Sequence, residues 1–448
     1  MNTEPLKKPE VLILGGGPAG LSVGYYAQQL GLDFTLIEAG SDLGGNCRTL
    51  RLGDFLFDTG AHRVHDKDPD VTSDIRGLLG DDLCKVSAPS EIYSKGKFFR
   101  FPLELRDLVT RLDFTTLLKI VSENMRRKNR KSDGNFGTFA IGQYGETLAN
   151  LFLLNYSRKL WGVNPYGLAT EVSGGRMKGL DLGNFLRETL LGESIRSDHL
   201  DGSFLYPKYG IGMVIDKMCG SIDSERILTN SRVNQLLHDE GRIKRVVLNS
   251  GEEFGISTLV NTLPLTQTIK ILDPPPPSEL MVLADSIKYR NLILCVFGLD
   301  RCSFSPNASL YFPDEEFPFT RIYEPKNRSF HMAPEGKTAI VVECPCFESD
   351  RLWSMDREAI RELVWRALQN VQGIDDEEIV CYGTFKLPFA YPVLEVDFAK
   401  NVEKLMNYLQ SFSNIYLTGR SALFRYTHLH DLMRAGRELA RELNSVGR

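Results

Sequence analysis

The apolar positions divide the chain into a framework that keeps returning to one sheet and two long insertions. Val11-Leu12-Ile13-Leu14 is an unbroken apolar run, closed by Gly15-Gly16-Gly17-Pro18-Ala19-Gly20 and followed by a helical stretch from Leu21 to Leu30. Unbroken apolarity predicts a strand covered on both faces, as in a parallel sheet. Phe34-Thr35-Leu36-Ile37 predicts its neighbour. Further on, Arg232 to Leu237 alternates, and the runs Ile243 to Leu248 and Ser257 to Thr262 bracket a turn at Asn249-Ser250-Gly251. That pattern predicts a hairpin followed by a strand rejoining the sheet. The last return is Asn414 to Thr418, with a helix from about Leu429 to Asn444.

Two insertions interrupt this framework. Residues 104–200 repeat apolar positions near the helical period, as in Leu103, Leu105, Leu108, Val109 and Leu112 and later Phe152, Leu153, Tyr156 and Leu160, and predict a helical subdomain. Residues 272–395, reached through the Pro274 to Pro277 tetrad, carry strand-like runs at Leu292 to Leu299 and Ala339 to Glu343 and predict an antiparallel-sheet subdomain. The fold class is therefore α/β: a Rossmann-like framework from residues 1–90, 201–271 and 396–448, with the two subdomains inserted.

The glycine turn carries the first chemistry. Gly15 permits the tight turn, Gly17 lets backbone approach a pyrophosphate, and Gly20 allows the helix to pack closely on the strand. Glu38 closes the second strand eighteen residues past Gly20, where a carboxylate can accept from both ribose hydroxyls. Just beyond lies a second glycine pair, in Gly44-Gly45-Asn46, offering backbone N–H groups to a further section of an extended, permanently held cofactor. A nicotinamide fold rarely needs that, and the stretch Ala39 to Thr49 resembles the FAD-binding superfamily, which implies FAD as the cofactor and an FAD-binding domain as the framework.

Composition narrows the partners. With 53 Lys and Arg against 58 Asp and Glu, a net charge of −5 and a pI near 5.9, the chain has no general affinity for nucleic acid, and an anionic ligand must be met by locally placed arginines. The basic run 126–131 reads as a solvated face or loop. Eight scattered cysteines form no repeated pair spacing, so no metal site is expected, and His428 and His430 lack a third ligand in the sequence. Met1 to Glu10 is polar and no apolar run reaches membrane-spanning length, which gives a cytoplasmic reading with no transmembrane segment.

The stretch Gly15 to Thr49 resembles the FAD-binding superfamily that includes amine oxidases, protoporphyrinogen oxidases and UDP-galactopyranose mutases. Within it, six segments in order are similar to the mutases: Gly60-Ala61-His62-Arg63-Val64-His65, Tyr93 to Leu103, Lys159-Leu160-Trp161-Gly162, Thr320-Arg321-Ile322-Tyr323-Glu324-Pro325-Lys326, Ala390-Tyr391-Pro392-Val393, and Gly419-Arg420-Ser421-Ala422-Leu423-Phe424-Arg425-Tyr426. The resemblance implies that Gly419 and Arg420 serve the flavin and that Val233 meets adenine through its backbone. It further implies that His62 lies beside the flavin ring and that Arg321, Tyr391 and Tyr426 hold a nucleotide-sugar diphosphate.

The implied reaction is pyranose to furanose interconversion through N5 of reduced FAD, with a reductant such as NAD(P)H. The alternative is an FAD-dependent oxidoreductase of the amine oxidase or protoporphyrinogen oxidase type, which shares the whole cofactor-binding front end. Two departures stand out. His428 and His430 occupy the place of a mutase Asp-x-Asp pair, and the second diphosphate-binding arginine has only Arg176, Arg187 or Lys208 as candidates.

Overall fold

The computed structural model describes residues 9–66, 68–126, 134–173, 203–371 and 373–446. At its centre is a five-stranded, all-parallel sheet in the order Ile415–Leu417, Thr258–Asn261, Val11–Leu14, Phe34–Ile37, Ile227–Leu228. The first strand is central and every residue of it is buried, as its unbroken apolar run requires. One face is covered by the helices Pro18–Leu30 and Leu429–Val446, through Leu21, Val23, Met433 and Ala440. The other carries a four-stranded sheet around Leu236, Ile243 and Val246. Residues hundreds of positions apart thus form one framework.

The hairpin within that second layer differs from the expected one. Its tip is Glu240-Gly241, both at positive φ, joining Val233–Asp239 to Arg242–Leu248. The Asn249 to Gly251 turn leads instead into a short extra strand, Glu253–Gly255, before the chain rejoins the parallel sheet at Thr258. Three residues between two turns show too little alternation to be read as a strand.

The inserted sheet has seven strands, in the order Ile379–Pro392, Tyr289–Leu299, Thr338–Cys346, Arg321–Tyr323, Ser309–Tyr311, Ser90–Ser94, Lys97–Phe101. It is mixed rather than wholly antiparallel: Ser309–Tyr311 runs parallel to Ser90–Ser94, and two of its strands come from the segment before residue 104. Every residue of Thr338–Cys346 is buried, because this strand lies under a core of Ile340, Val342, Trp365 and Phe297 on one side and Val341, Tyr323 and Phe57 on the other. Between residues 104 and 173, helices including Leu105–Arg111, Phe114–Met125, Phe136–Tyr144 and Asn155–Trp161 pack beside this sheet.

Candidate functional site

The cradle is built at the C-terminal edge of the parallel sheet, where the first strand ends. Gly15 adopts φ +99, and a Cβ on Gly20 would lie 1.9 Å from the Gly15 carbonyl oxygen, so the helix can start there only with glycine. The second glycine pair closes over this turn. The Gly44 amide donates to the Gly16 carbonyl at 2.7 Å, and a Cβ on Gly45 would stand 3.2 Å from the Gly17 Cα. Gly419, at φ +98, comes against Ala19 from the far end of the chain.

Glu38 ties these pieces together. Its carboxylate accepts from the Gly16 amide at 2.7 Å and from the Gly40 amide at 2.7 Å. The carboxylate is therefore oriented by the loop that it serves, with its remaining lone pairs free for ligand hydroxyls. The Glu38 carbonyl also accepts from the Ser231 amide, two residues before Val233, and this brings the Val233 backbone alongside the same sheet edge. Asn46 donates to the Pro388 carbonyl at 3.3 Å, linking the cradle to the seven-stranded sheet.

A second group of side chains converges beside the cradle. Arg420 lies against two phenol rings, with its guanidinium 4.3 Å from the Tyr426 centroid and 5.1 Å from that of Tyr391. The two tyrosines are themselves stacked at 6.3 Å, and Trp161 meets Tyr391 edge-on at 6.0 Å. Arg420 Nε and Nη2 are shut off from solvent and have no hydrogen-bond partner among the described residues. Buried donors left this way lose free energy unless something accepts from them.

His62 is in the same condition. The residue as a whole is half-buried, but its Nε2 is enclosed and unpartnered. Burial lowers the imidazole to about 3, with Arg328, Arg420 and Arg321 repelling a proton from it. It is held neutral at physiological pH.

Arg321 is already engaged. Its Nε and Nη2 donate to Glu343 at 2.8 and 2.7 Å, a two-pronged pair that leaves Nη1 over. Burial opposes the Arg321 charge, but Glu343 outweighs it and holds the guanidinium well above its ordinary range. Glu324, three residues further on, is buried and accepts from the Phe304 and Ser305 amides and the Thr338 hydroxyl. Burial also raises the Tyr391 phenol, with Glu343 adding to the rise and Arg321 opposing it.

Several residues shaping this cleft have no counterpart among the expected site residues. Arg328 is buried between the Tyr323 and Tyr206 rings and donates to the His62 carbonyl at 3.1 Å, which locks the turn that carries the imidazole. Asp58 accepts from Tyr206, Thr49 and the Ile211 amide beneath the same turn. Glu343 had a legible signal, a carboxylate directly after the apolar run Ala339 to Val342. Arg328, seven residues past Arg321, had none. Lys159 takes a structural part, with its Nζ donating to the Phe312 and Asp314 carbonyls at 2.7 Å each and burial lowering it to about 8.

The histidine pair also resolves. His428 immediately precedes the C-terminal helix and His430 lies in its first turn; their rings stack at 5.8 Å, with His65 edge-on to both at 6.0 and 6.4 Å. Among the described residues no group of three or more His, Cys, Asp and Glu side chains is arranged to hold a metal. Lys208 lies near Asp82 and the Tyr209 ring, while Arg176 and Arg187 fall outside the described residues, as does most of the basic run 126–131. No described helix is long and apolar enough to cross a membrane.

The sequence pattern of the flavin containing amine oxidoreductases matches residues 18–444. The chain belongs to that family. Among curated proteins it is 31% identical over 120 residues to a possible lysine-specific histone demethylase 1 of Drosophila melanogaster, covering 26% of this chain and 13% of that one. It is 23% identical over 267 residues to protoporphyrinogen oxidase 2 of Arabidopsis thaliana, covering 53% of this chain and 52% of that one. The chain thus spans 13% and 52% of the lengths of these two curated relatives.

Solved structures give longer likenesses. A reduced UDP-galactopyranose mutase superposes with a TM-score of 0.86 at 20% identity, covering 98% of this chain and 96% of the other. A putrescine oxidase with putrescine bound gives 0.69 at 15%, covering 99% and 100%. At these identities the likeness establishes the fold of this flavin amine oxidoreductase. Its cofactor is FAD, and the residues present fit it. The glycine cradle presents bare backbone to a ligand, Glu38 keeps lone pairs for ribose hydroxyls, and the orphaned Nε2 of His62 lies where a polar partner is wanted.

Proposed function

We propose that this flavoenzyme acts on a nucleotide-diphosphate sugar and interconverts its pyranose and furanose forms. The observation that carries the reading is Arg420, a buried guanidinium between Tyr391 and Tyr426 with two N–H groups lacking acceptors, in a cleft whose other charges are mainly cationic. Arg321 and Arg328 add positive charge, and the nearby Glu343 is already paired with Arg321. Such a cleft suits a polyanion far better than an ammonium.

Reduced FAD, when bound, supplies the nucleophile at N5. The protein's share is positioning and charge. Arg321 Nη1, the Tyr391 and Tyr426 hydroxyls and the Arg420 fork hold the departing diphosphate and stabilise the charge that gathers on it. His62, kept neutral, presents Nε2 to the flavin side without adding a competing cation. The Tyr391 phenol, raised by burial, stays protonated and donates to phosphate oxygen.

A second reading, an oxidoreductase of the amine oxidase or protoporphyrinogen oxidase type, is favoured by family membership, and its substrate would have to carry carboxylates to suit the same arginines. The two are separated by incubating the FAD-loaded protein with UDP-galactofuranose or UDP-galactopyranose, with and without dithionite, and resolving the nucleotide sugars by chromatography. Interconversion only after reduction supports the mutase. Oxygen uptake on an amine or a tetrapyrrole, without interconversion, supports the oxidoreductase.

A further inference from the structure

The helix Phe114–Met125 buries Ile120 against the helical cluster, yet it carries a second apolar stripe that faces solvent. Phe114 is 72% exposed, Leu118 51%, Val121 53% and Met125 82%. At about 100° per residue these four positions fall within a sector of roughly 60° on one side of the helix. Val109, on the preceding helix, is 56% exposed. Of fourteen large exposed apolar side chains among the described residues, five fall within seventeen consecutive positions, and such grouping marks a contact surface rather than ordinary surface scatter.

Charge identifies the contact. Residues 105–131 hold eight Lys and Arg against three Asp and Glu, in a chain whose net charge is −5. All three acids are engaged within the protein: Asp107 is buried and paired with Arg111, Asp113 caps the helix, and Glu123 accepts from Thr147. Arg106, Lys119 and Arg126 are exposed, and Arg126 opens the basic run 126–131 directly after Met125. A two-fold contact between copies of this face would set like charges together. An apolar stripe edged with an excess of cations, eight Lys and Arg against three Asp and Glu, fits an anionic lipid surface, on which a short amphipathic helix lies in the interface plane.

We propose that the face formed by Phe114, Leu118, Val121 and Met125 docks the protein peripherally on anionic membranes, with Lys119 and Arg126 meeting the headgroups. This is independent of the reaction catalysed. The test is flotation of the full-length, FAD-loaded protein with vesicles of phosphatidylcholine alone or with about a quarter phosphatidylserine. Enrichment on the anionic vesicles by about tenfold or more, weakening as salt is raised, is expected.

Leu118→Asp with Met125→Asp should reduce that binding about tenfold or more, and Lys119→Glu with Arg126→Glu should weaken it and flatten its salt dependence. Both pairs lie on the surface and should leave flavin content and thermal midpoint unchanged. Equal recovery with both vesicle types, or variants that float like the wild type, overturns the proposal. So does a dimer by light scattering that Leu118→Asp dissociates, since the face would then belong to a second copy of the chain.

Discussion

The cradle and the cleft adjoin each other, but they are made differently. The cradle is mostly backbone: Gly15, Gly17, Gly20, Gly44 and Gly45 come from 31 consecutive residues, and Glu38 is oriented by two amides of the same segment. The cleft is mostly side chain, with His62, Trp161, Arg321, Arg328, Glu343, Tyr391, Arg420 and Tyr426 drawn from across the chain. A backbone site fails when a side chain is added, and a side-chain site fails when a partner is removed.

The largest effect should therefore follow the smallest addition. Gly20→Ala places a methyl against the Gly15 carbonyl and should yield folded protein with essentially no bound FAD. A protein that purifies with one flavin per chain would refute the close-packing account. In the cleft, Glu343→Gln strips the buried counter-charge from Arg321 and should cost ~3–5 kcal/mol in denaturant unfolding. A loss below about 1 kcal/mol would mean that the pair is solvated like a surface pair.

Arg321→Lys keeps a positive charge opposite Glu343 but loses the planar fork, and it separates the structural role from ligand binding. Nucleotide-sugar affinity should fall about tenfold or more, given ~1.5–3 kcal/mol for charged hydrogen bonds, while stability changes far less. Unchanged affinity by calorimetry would remove Arg321 from the clamp and leave it as a partner of Glu343 alone.

The smallest effect concerns His62 and pH. Its folded value of about 3 lies below the ordinary 6.5, so the unfolded chain binds more protons between the two. Stability is fully present above pH 6.5 and lost as the pH falls towards 3. His62→Gln should make the acid limb of a denaturant-midpoint titration shallower. Parallel limbs for wild type and variant would show that the imidazole is not enclosed.

Legibility followed the same division. The glycines of the cradle could be read because each answers a local demand, a turn or a close approach, within one strand–turn–helix unit. Tyr391, Arg420 and Tyr426 were visible only through resemblance, since nothing local distinguishes a tyrosine that stacks on an arginine from one that fills a core. Arg328 was missed because its partners, the His62 carbonyl and the Tyr206 and Tyr323 rings, lie up to 266 positions away in the chain. The Arg321 partner was illegible for a related reason: only the antiparallel pairing of Arg321–Tyr323 with Thr338–Cys346 sets Arg321 directly opposite Glu343, 22 positions away.

By itself the sequence determined the α/β framework and the glycine cradle, because apolar period and turn chemistry act over a few residues and survive in any reading of the chain; the family was legible through the resemblance of its motifs. Tertiary structure decided which charges are spent and which remain. Glu343 neutralises Arg321, Arg328 locks the His62 turn, and Arg420 keeps unpartnered N–H groups, since pairing and desolvation depend on distances that only the packed sheets and helices set.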